Sequence, residues 1–148
     1  MTQSKQPILI LGSNGQVGWE LNRSLQPLGE VIALGRDHAD FTDPAGLKSL
    51  VGAHSPDVIV NAVAYTAVDA AEDDEATASL VNHDSVRALA EAAAAASALL
   101  VHYSTDYVFD GAGDTGFATD ALTGPLGAYG RSKLVGEHGI RAAGGTYA

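Results

Sequence analysis

Tyr129-Gly-Arg-Ser-Lys133 sets a phenol and an amine at positions i and i+4. On a helix these positions share one face. An ammonium beside a phenol favours the ionised phenol, so a group that normally titrates near ~10 becomes a usable acid at neutral pH. Such a pair can deliver a proton to a carbonyl oxygen. Ser104-Thr105-Asp106, earlier in the chain, offers the Thr105 hydroxyl as a second hydrogen-bond partner for that oxygen. Thr105, Tyr129 and Lys133 are therefore the candidate catalytic residues. A solvated helix face would carry the same Tyr and Lys, so the reading depends on what the rest of the chain places beside them.

A glycine-rich turn supplies that context. Gly12-Ser-Asn-Gly15-Gln-Val-Gly18 directly follows the apolar run Ile8 to Leu11 and opens a helical pattern. Glycines at such a junction permit a tight turn, close approach of backbone to a pyrophosphate and close packing of helix on strand. The helix N-terminus adds N–H donors and a favourable dipole. The spacing is Gly-x-x-Gly-x-x-Gly rather than Gly-x-Gly-x-x-Gly. At the end of the second predicted strand, where a carboxylate would hold the ribose of NAD, the chain has Gly35-Arg36. A guanidinium suits a 2′-phosphate, which favours NADPH over NADH. Asp37 beside it is placed to neutralise part of that charge. Asn61-Ala-Val-Ala-Tyr65-Thr66 follows the third strand, at the sheet edge where open α/β folds bind ligands.

Those motifs need a scaffold, and the apolar pattern provides one. Short apolar runs alternate with helical segments, which predicts an α/β fold with a doubly wound parallel sheet of Rossmann type. Strands are expected at 8–11, 31–34, 57–60 and 99–103, with a further strand starting at Thr146. Helices are expected near 15–25, from Thr42-Asp43-Pro44 onward, over 77–96 and over 128–140. The acidic run Glu72-Asp-Asp-Glu75 reads as a helix start stabilised by the helix dipole. The five histidines, 38, 54, 83, 102 and 138, lack metal-ligand spacing and read as structural or solvated.

Composition sets outer bounds. The 148 residues suffice for one domain, with 46% apolar and 18% charged residues. A net charge of −10 argues against nucleic acid and anionic membranes as partners. Cysteine is absent from the sequence, which suits the cytosol, and no signal-peptide pattern or membrane-length apolar run occurs. The expectation is a cytoplasmic protein.

Five stretches together resemble one family: Gly15-Gln-Val-Gly-Trp-Glu-Leu21, Asp57-Val-Ile-Val-Asn-Ala62, Thr66-Ala-Val-Asp69, His102-Tyr-Ser-Thr-Asp-Tyr-Val-Phe109 and Tyr129-Gly-x-x-Lys133. They are similar to the dTDP-4-dehydrorhamnose reductases, extended short-chain dehydrogenases/reductases that reduce the C4 keto group of a dTDP-4-dehydro-6-deoxy-L-mannose. The resemblance implies an NADPH-dependent oxidoreductase of dTDP-rhamnose biosynthesis. It implies Gly15, Gln16 and Val17 at the pyrophosphate, Asp40 and Phe41 at the adenine, and Ala64, Tyr65, Thr66 and Tyr103 at the nicotinamide. Tyr129 and Lys133 would serve both cofactor and chemistry, while Thr105 and Asp106 would meet the dTDP-sugar. Asn82 is similar to an asparagine that organises a water near the lysine, and Glu20 to a carboxylate that takes Mg²⁺ at a homodimer interface.

The sequence departs from that pattern at Ala118-Thr-Asp120, which lacks a first acid, and at Gly127, where a polar residue is common. The family's chains are also much longer, so the expectation is that residues 1–148 are the cofactor domain and that a C-terminal sugar-nucleotide lobe is absent from the sequence. Two other readings stay open. One is a related nucleotide-sugar epimerase or dehydratase; the other is a non-catalytic, NADP-binding regulatory subunit of the kind found with methionine adenosyltransferase. A dehydratase would be expected to show an acidic pair after Thr105, where only Asp106 precedes Tyr107.

Overall fold

The computed structural model describes residues 6–148. Five short strands form one wholly parallel sheet: β1 (Ile8–Leu11), β2 (Val31–Leu34), β3 (Val58–Asn61), β4 (Leu99–His102) and β5 (Thr146–Tyr147), in the order β2-β1-β3-β4-β5. Ile8 lies beside Val31 on one flank and Val58 on the other, and Val58 lies beside Leu99. These strands are apolar runs because parallel strands are covered on their faces. The order also fixes the ligand crevice. The chain leaves β1 toward β2, then jumps back over β1 to β3, so the crossovers diverge at the β1/β3 boundary, where open sheets of this kind bind ligands.

Right-handed crossovers then place α1 (Gln16–Ser24) on one face, and α2 (Pro44–His54), α5 (Ser85–Ala96) and α6 (Ala128–Ala143) on the other. In agreement, α2 packs on α5 and α5 on α6, while α1 packs on β1 and β2. Leu9, Leu11, Ile59 and Leu100 point from the sheet into this larger layer and meet Leu47 and Val51 of α2, Val86 and Leu89 of α5 and Ile140 of α6. Each such aliphatic side chain contributes about 1.5–3 kcal/mol by leaving water.

Helix starts follow the sequence signals closely. Asp43 accepts the Gly46 N–H at 3.0 Å, with Pro44 at the first helical position of α2. The helix expected over 77–96 is instead three joined pieces: α4 (Glu75–Ser79), a π-helical turn (Leu80–Asp84) and α5. A π-turn carries one extra residue per turn and swings side chains off the regular helical face. Here it turns Asn82 inward, where it is 1% exposed. The acidic run spans the end of α3 (Ala70–Asp73) and the start of α4 rather than opening one helix. Asp74 caps α4 through the Thr77 N–H. No helix among the described residues is long and apolar enough to cross a membrane.

Candidate active site

Gly12 leaves β1 at φ +94°, in the region that favours glycine. A Cβ there would stand 3.0 Å from the Ala62 backbone and from Val63 Cγ2, so the turn lies hard against the loop after β3. A Cβ at Gly18 would collide with the Gly12 carbonyl, so this glycine, buried within α1, lets the helix rest on the turn. The N–H groups of Gly12 and Ser13 are spent on Leu34 O, at 2.9 and 3.1 Å. The N-terminus of α1 stays free. Its cap residue Gly15 has no side chain, no side chain caps the end, and the first turn holds no acid. Two helices of the opposite layer, α2 and α6, differ. Asp43 occupies the start of α2, and Glu72 Oε1 accepts the Ala128 N–H of α6 at 2.6 Å.

Beside this end lies a cleft of about 600 Å³. Of the sequence-predicted cofactor residues, Gly12, Gly15, Arg36, Asp40, Phe41, Ala64 and Tyr65 line it. Gln16 lines a shallower depression continuous with it through Asn14 and Gly15, together with Trp19 and Glu20. Val17 is exposed, and Thr66 lies exposed beyond the cleft wall. Phe41 is 4% exposed and belongs to the core, so the core fixes its position. Asp40 is committed to its own turn: one carboxylate oxygen accepts from the Thr42 N–H at 2.8 Å and the Thr42 hydroxyl at 2.7 Å. Those bonds, with the Arg36 charge, hold its carboxyl below the usual range. Asp37 pairs with His38 at 3.0 Å, not with Arg36. Arg36 therefore faces the cleft without that neighbour drawing on it.

At the carboxyl ends of β3 and β4 the second group assembles. Tyr129 and Lys133 lie one turn apart on α6, as predicted. The 3₁₀ turn Asp106–Val108 follows Thr105 and packs on α6: the Tyr107 and Tyr129 rings meet edge to face at 5.5 Å, and a Cβ at Gly130 would strike the Tyr107 carbonyl. Thr105 Oγ1 accepts the Tyr107 N–H at 3.2 Å and lies 3.4 Å from Asp106 Oδ1. Tyr103 is exposed, but its carbonyl accepts from Lys133 Nζ at 2.6 Å. Lys133 is 3% exposed, and burial pushes its amine down to about 8 against the opposing pull of Glu137. His102 Nε2 lies 3.3 Å from the same nitrogen, and Asn61 Nδ2 lies 3.0 Å from His102 Nδ1. Burial, then the Lys133 charge, drives His102 down to about 3.

Asn82, the residue for which the resemblance implied a water-organising role, makes three direct hydrogen bonds. Its side-chain oxygen accepts the Tyr65 N–H at 2.8 Å, and its amide donates to Tyr65 O at 3.1 Å and Ser132 Oγ at 3.0 Å. With those bonds its side chain ties the Tyr65 loop to α6. Glu20 pairs with Arg23 at 2.8 Å on the exposed face of α1. No group of three or more ligating side chains gathers there or elsewhere among the described residues, so of such a site this chain shows only the single carboxylate of Glu20.

Five residues given no chemistry from sequence now carry structure in the site. Asn14 Oδ1 accepts the Arg36 N–H at 3.2 Å and leaves no room for a Cβ on Gly35, bracing the glycine turn against the end of β2. Glu72 caps α6, with Gly127 leaving the space it needs, and Glu75 holds Arg131 at 3.2 Å. Asn61 and His102 are register partners on neighbouring strands. Their signal was legible in principle: each ends an otherwise apolar strand with a polar group.

Comparison with known proteins agrees with this geometry. A family model described as the RmlD substrate binding domain matches residues 6–148. The dTDP-4-dehydrorhamnose reductase of Burkholderia thailandensis is 52% identical over 140 residues, covering 95% of this chain and 47% of that protein. The enzyme of the same name from Salmonella typhimurium is 49% identical over 138 residues, covering 90% of this chain and 46% of its own. A crystal structure of dTDP-4-dehydrorhamnose reductase from Bacillus anthracis in complex with NADP superposes with a TM-score of 0.92 at 31% identity, over 99% of this chain and 53% of that one. The chain thus spans about half the length of the curated relatives it matches.

Proposed function

This chain belongs to the RmlD substrate binding domain family, and on that premise we propose that it is the cofactor-binding half of an NADPH-dependent dTDP-4-dehydrorhamnose reductase. Two features at the carboxyl ends of the parallel strands support the reading. An uncapped helix end sits at the glycine turn after β1, and a buried lysine one turn from Tyr129 reaches His102 at the end of β4.

The residues present fit a dinucleotide. The α1 N-terminus offers unspent N–H groups to a pyrophosphate, and the glycines leave no side chain in its way. Arg36, unpaired with Asp37, suits a 2′-phosphate. Ala64 and Tyr65, held by Asn82, form the wall toward α6. When bound, the nicotinamide supplies the hydride that reduces the keto carbon. Tyr129 donates the proton to the keto oxygen, Thr105 offers that oxygen a second hydrogen bond, and Lys133 in its charged form stabilises the phenolate left behind. Asp106, exposed beside Thr105, is available to a sugar hydroxyl.

The test joins this half to the remaining length of the Burkholderia thailandensis relative and supplies NADPH with dTDP-4-dehydro-6-deoxy-L-mannose. Cofactor oxidation matched by formation of dTDP-L-rhamnose supports the reading. An epimerised or dehydrated product, or NADPH binding with no turnover, would point to the epimerase, dehydratase or regulatory readings instead.

A further inference from the structure

His102 lies outside every role assigned so far, yet it is the side chain that touches Lys133 Nζ from the sheet. The direction of its hydrogen bonds can be worked out from one backbone group. The Val63 N–H donates to Asn61 Oδ1 at 3.0 Å, and this fixes which end of the Asn61 amide is oxygen. The other end, an NH₂ donor, then faces His102 Nδ1 at 3.0 Å. A neutral imidazole has one donor and one acceptor nitrogen. Since Nδ1 must accept, the proton resides on Nε2, and that N–H faces Lys133 Nζ at 3.3 Å.

We infer that His102 is a positioning residue for Lys133: its ring, oriented by Asn61, presents a fixed N–H to the lysine nitrogen and opposes its ammonium form. An ammonium has three donors and no acceptor, so it would meet this N–H donor to donor. The neutral amine has two N–H groups and one lone pair. It accepts from His102 Nε2, donates to Tyr103 O at 2.6 Å and keeps one N–H to spare. All of these contacts are satisfied in the amine form, whereas the ammonium, still the majority form at pH 7, keeps its bond to Tyr103 O but meets His102 donor to donor. Asn61 has no acceptor at its amide nitrogen, so His102 cannot pass a proton onward. It acts as a dipole, not a relay.

Most charged groups around Lys133 are engaged with one another. On α6 itself Glu137 pulls Lys133 toward its charged form, but it is also shared with Ser104 Oγ and with Arg141 at 3.1 Å. The π-turn brings His83 and Asp84, which pair with each other at 3.1 Å. From α5 comes Arg87, directed to Glu91 at 3.9 Å. Glu72 and Glu75 of α3 and α4 are engaged by the start of α6 and by Arg131. The 3₁₀ turn brings Asp106 and Tyr107, and β5 brings Tyr147, exposed. Burial moves Lys133 in the same direction as the His102 dipole, and His102 stays neutral throughout the neutral range. This inference rests on the reductase reading only for its consequence, which is control over the charge that supports Tyr129.

The test uses the 148-residue chain and needs no sugar nucleotide, so it stands or falls separately from turnover. Nitrogen-15 NMR of the His102 ring at pH 7 is expected to report an unprotonated Nδ1 and a protonated Nε2. The opposite tautomer, or a charged ring, overturns the inference. Titration of Lys133 followed at its Cε is then compared with His102→Gln and His102→Asn. Glutamine can set an oxygen where Nε2 stood and should raise the lysine midpoint by about one unit or more. Asparagine removes the donor and should raise it less. A midpoint unmoved in a folded His102→Gln chain means that the histidine only fills space, which contradicts the proposal. If neither variant folds, the wild-type tautomer decides alone.

Discussion

The cofactor cleft and the rim that follows β4 are built in opposite ways. The cleft is walled by side chains that the core holds in place, such as Ala39 at 5% and Phe41 at 4% exposure. The rim, from Tyr103 to Leu126, turns apolar groups outward: Tyr107 is 52% exposed, Leu122 94% and Leu126 78%. Phe109 and Phe117 stack at 4.7 Å there, and little else orders the loop between them. The contrast teaches which region of this chain is held by its own core. The proposed dinucleotide site draws only on the β1/β3 boundary and one bare helix end, both present here. In the proposed reductase, a sugar nucleotide would be gripped over the rim, away from the reacting carbon. Remote binding of that kind supplies much of the positioning in catalysis.

The sharpest way to break the contrast is to damage each region equally. Gly12→Ala places a methyl at positive φ against the Ala62 backbone. It should cost about 2–4 kcal/mol by strain and overpacking together and abolish NADPH binding, read by denaturant unfolding and titration. Leu122→Ser on the rim should change stability by less than about 0.5 kcal/mol. Similar losses from both would show the rim to be as ordered as the cleft.

Acid should probe the buried polar end of the sheet next. His102 is near 3 in the fold against 6.5 when free. Between those values the unfolded chain binds more protons, so stability is lost as pH falls, by up to about 1.4 kcal/mol per pH unit. His102→Asn should flatten that slope in melts recorded from pH 6.5 downward. Lys133 acts at the other end: near 8 in the fold and 10.5 when free, it makes stability rise as pH climbs between the two.

A smaller effect distinguishes α6 from its surroundings. Glu72→Ala removes the carboxylate that caps α6, and should cost about 1 kcal/mol. NADPH affinity should stay unchanged, because Glu72 lies away from the cleft wall.

Much of this was readable in the chain. The glycine turn, Arg36, the Asp43-Pro44 helix start and the Tyr129–Lys133 face are local patterns whose physics is complete within a few residues, and each lies where its spacing predicts. What stayed hidden depended on strand register and on long-range contacts. Asn61 and His102 meet only because β3 and β4 align Val58 with Leu99. Glu72 looked like the start of its own helix, whereas it caps one that begins at Ala128. Asn82 gave no sign of the π-turn that carries it inward, because a π-turn keeps the composition of the helix around it.

The proposed cofactor site is drawn wholly from residues of this chain. Titrating the purified 148-residue chain with NADPH and NADH, beside its Arg36→Asp variant, tests that most directly. Saturable NADPH binding tighter than that of NADH, with the preference lost in the variant and NADH affinity spared, is the predicted result. A folded chain that binds neither dinucleotide, or an Arg36→Asp variant with undiminished NADPH affinity, would contradict it.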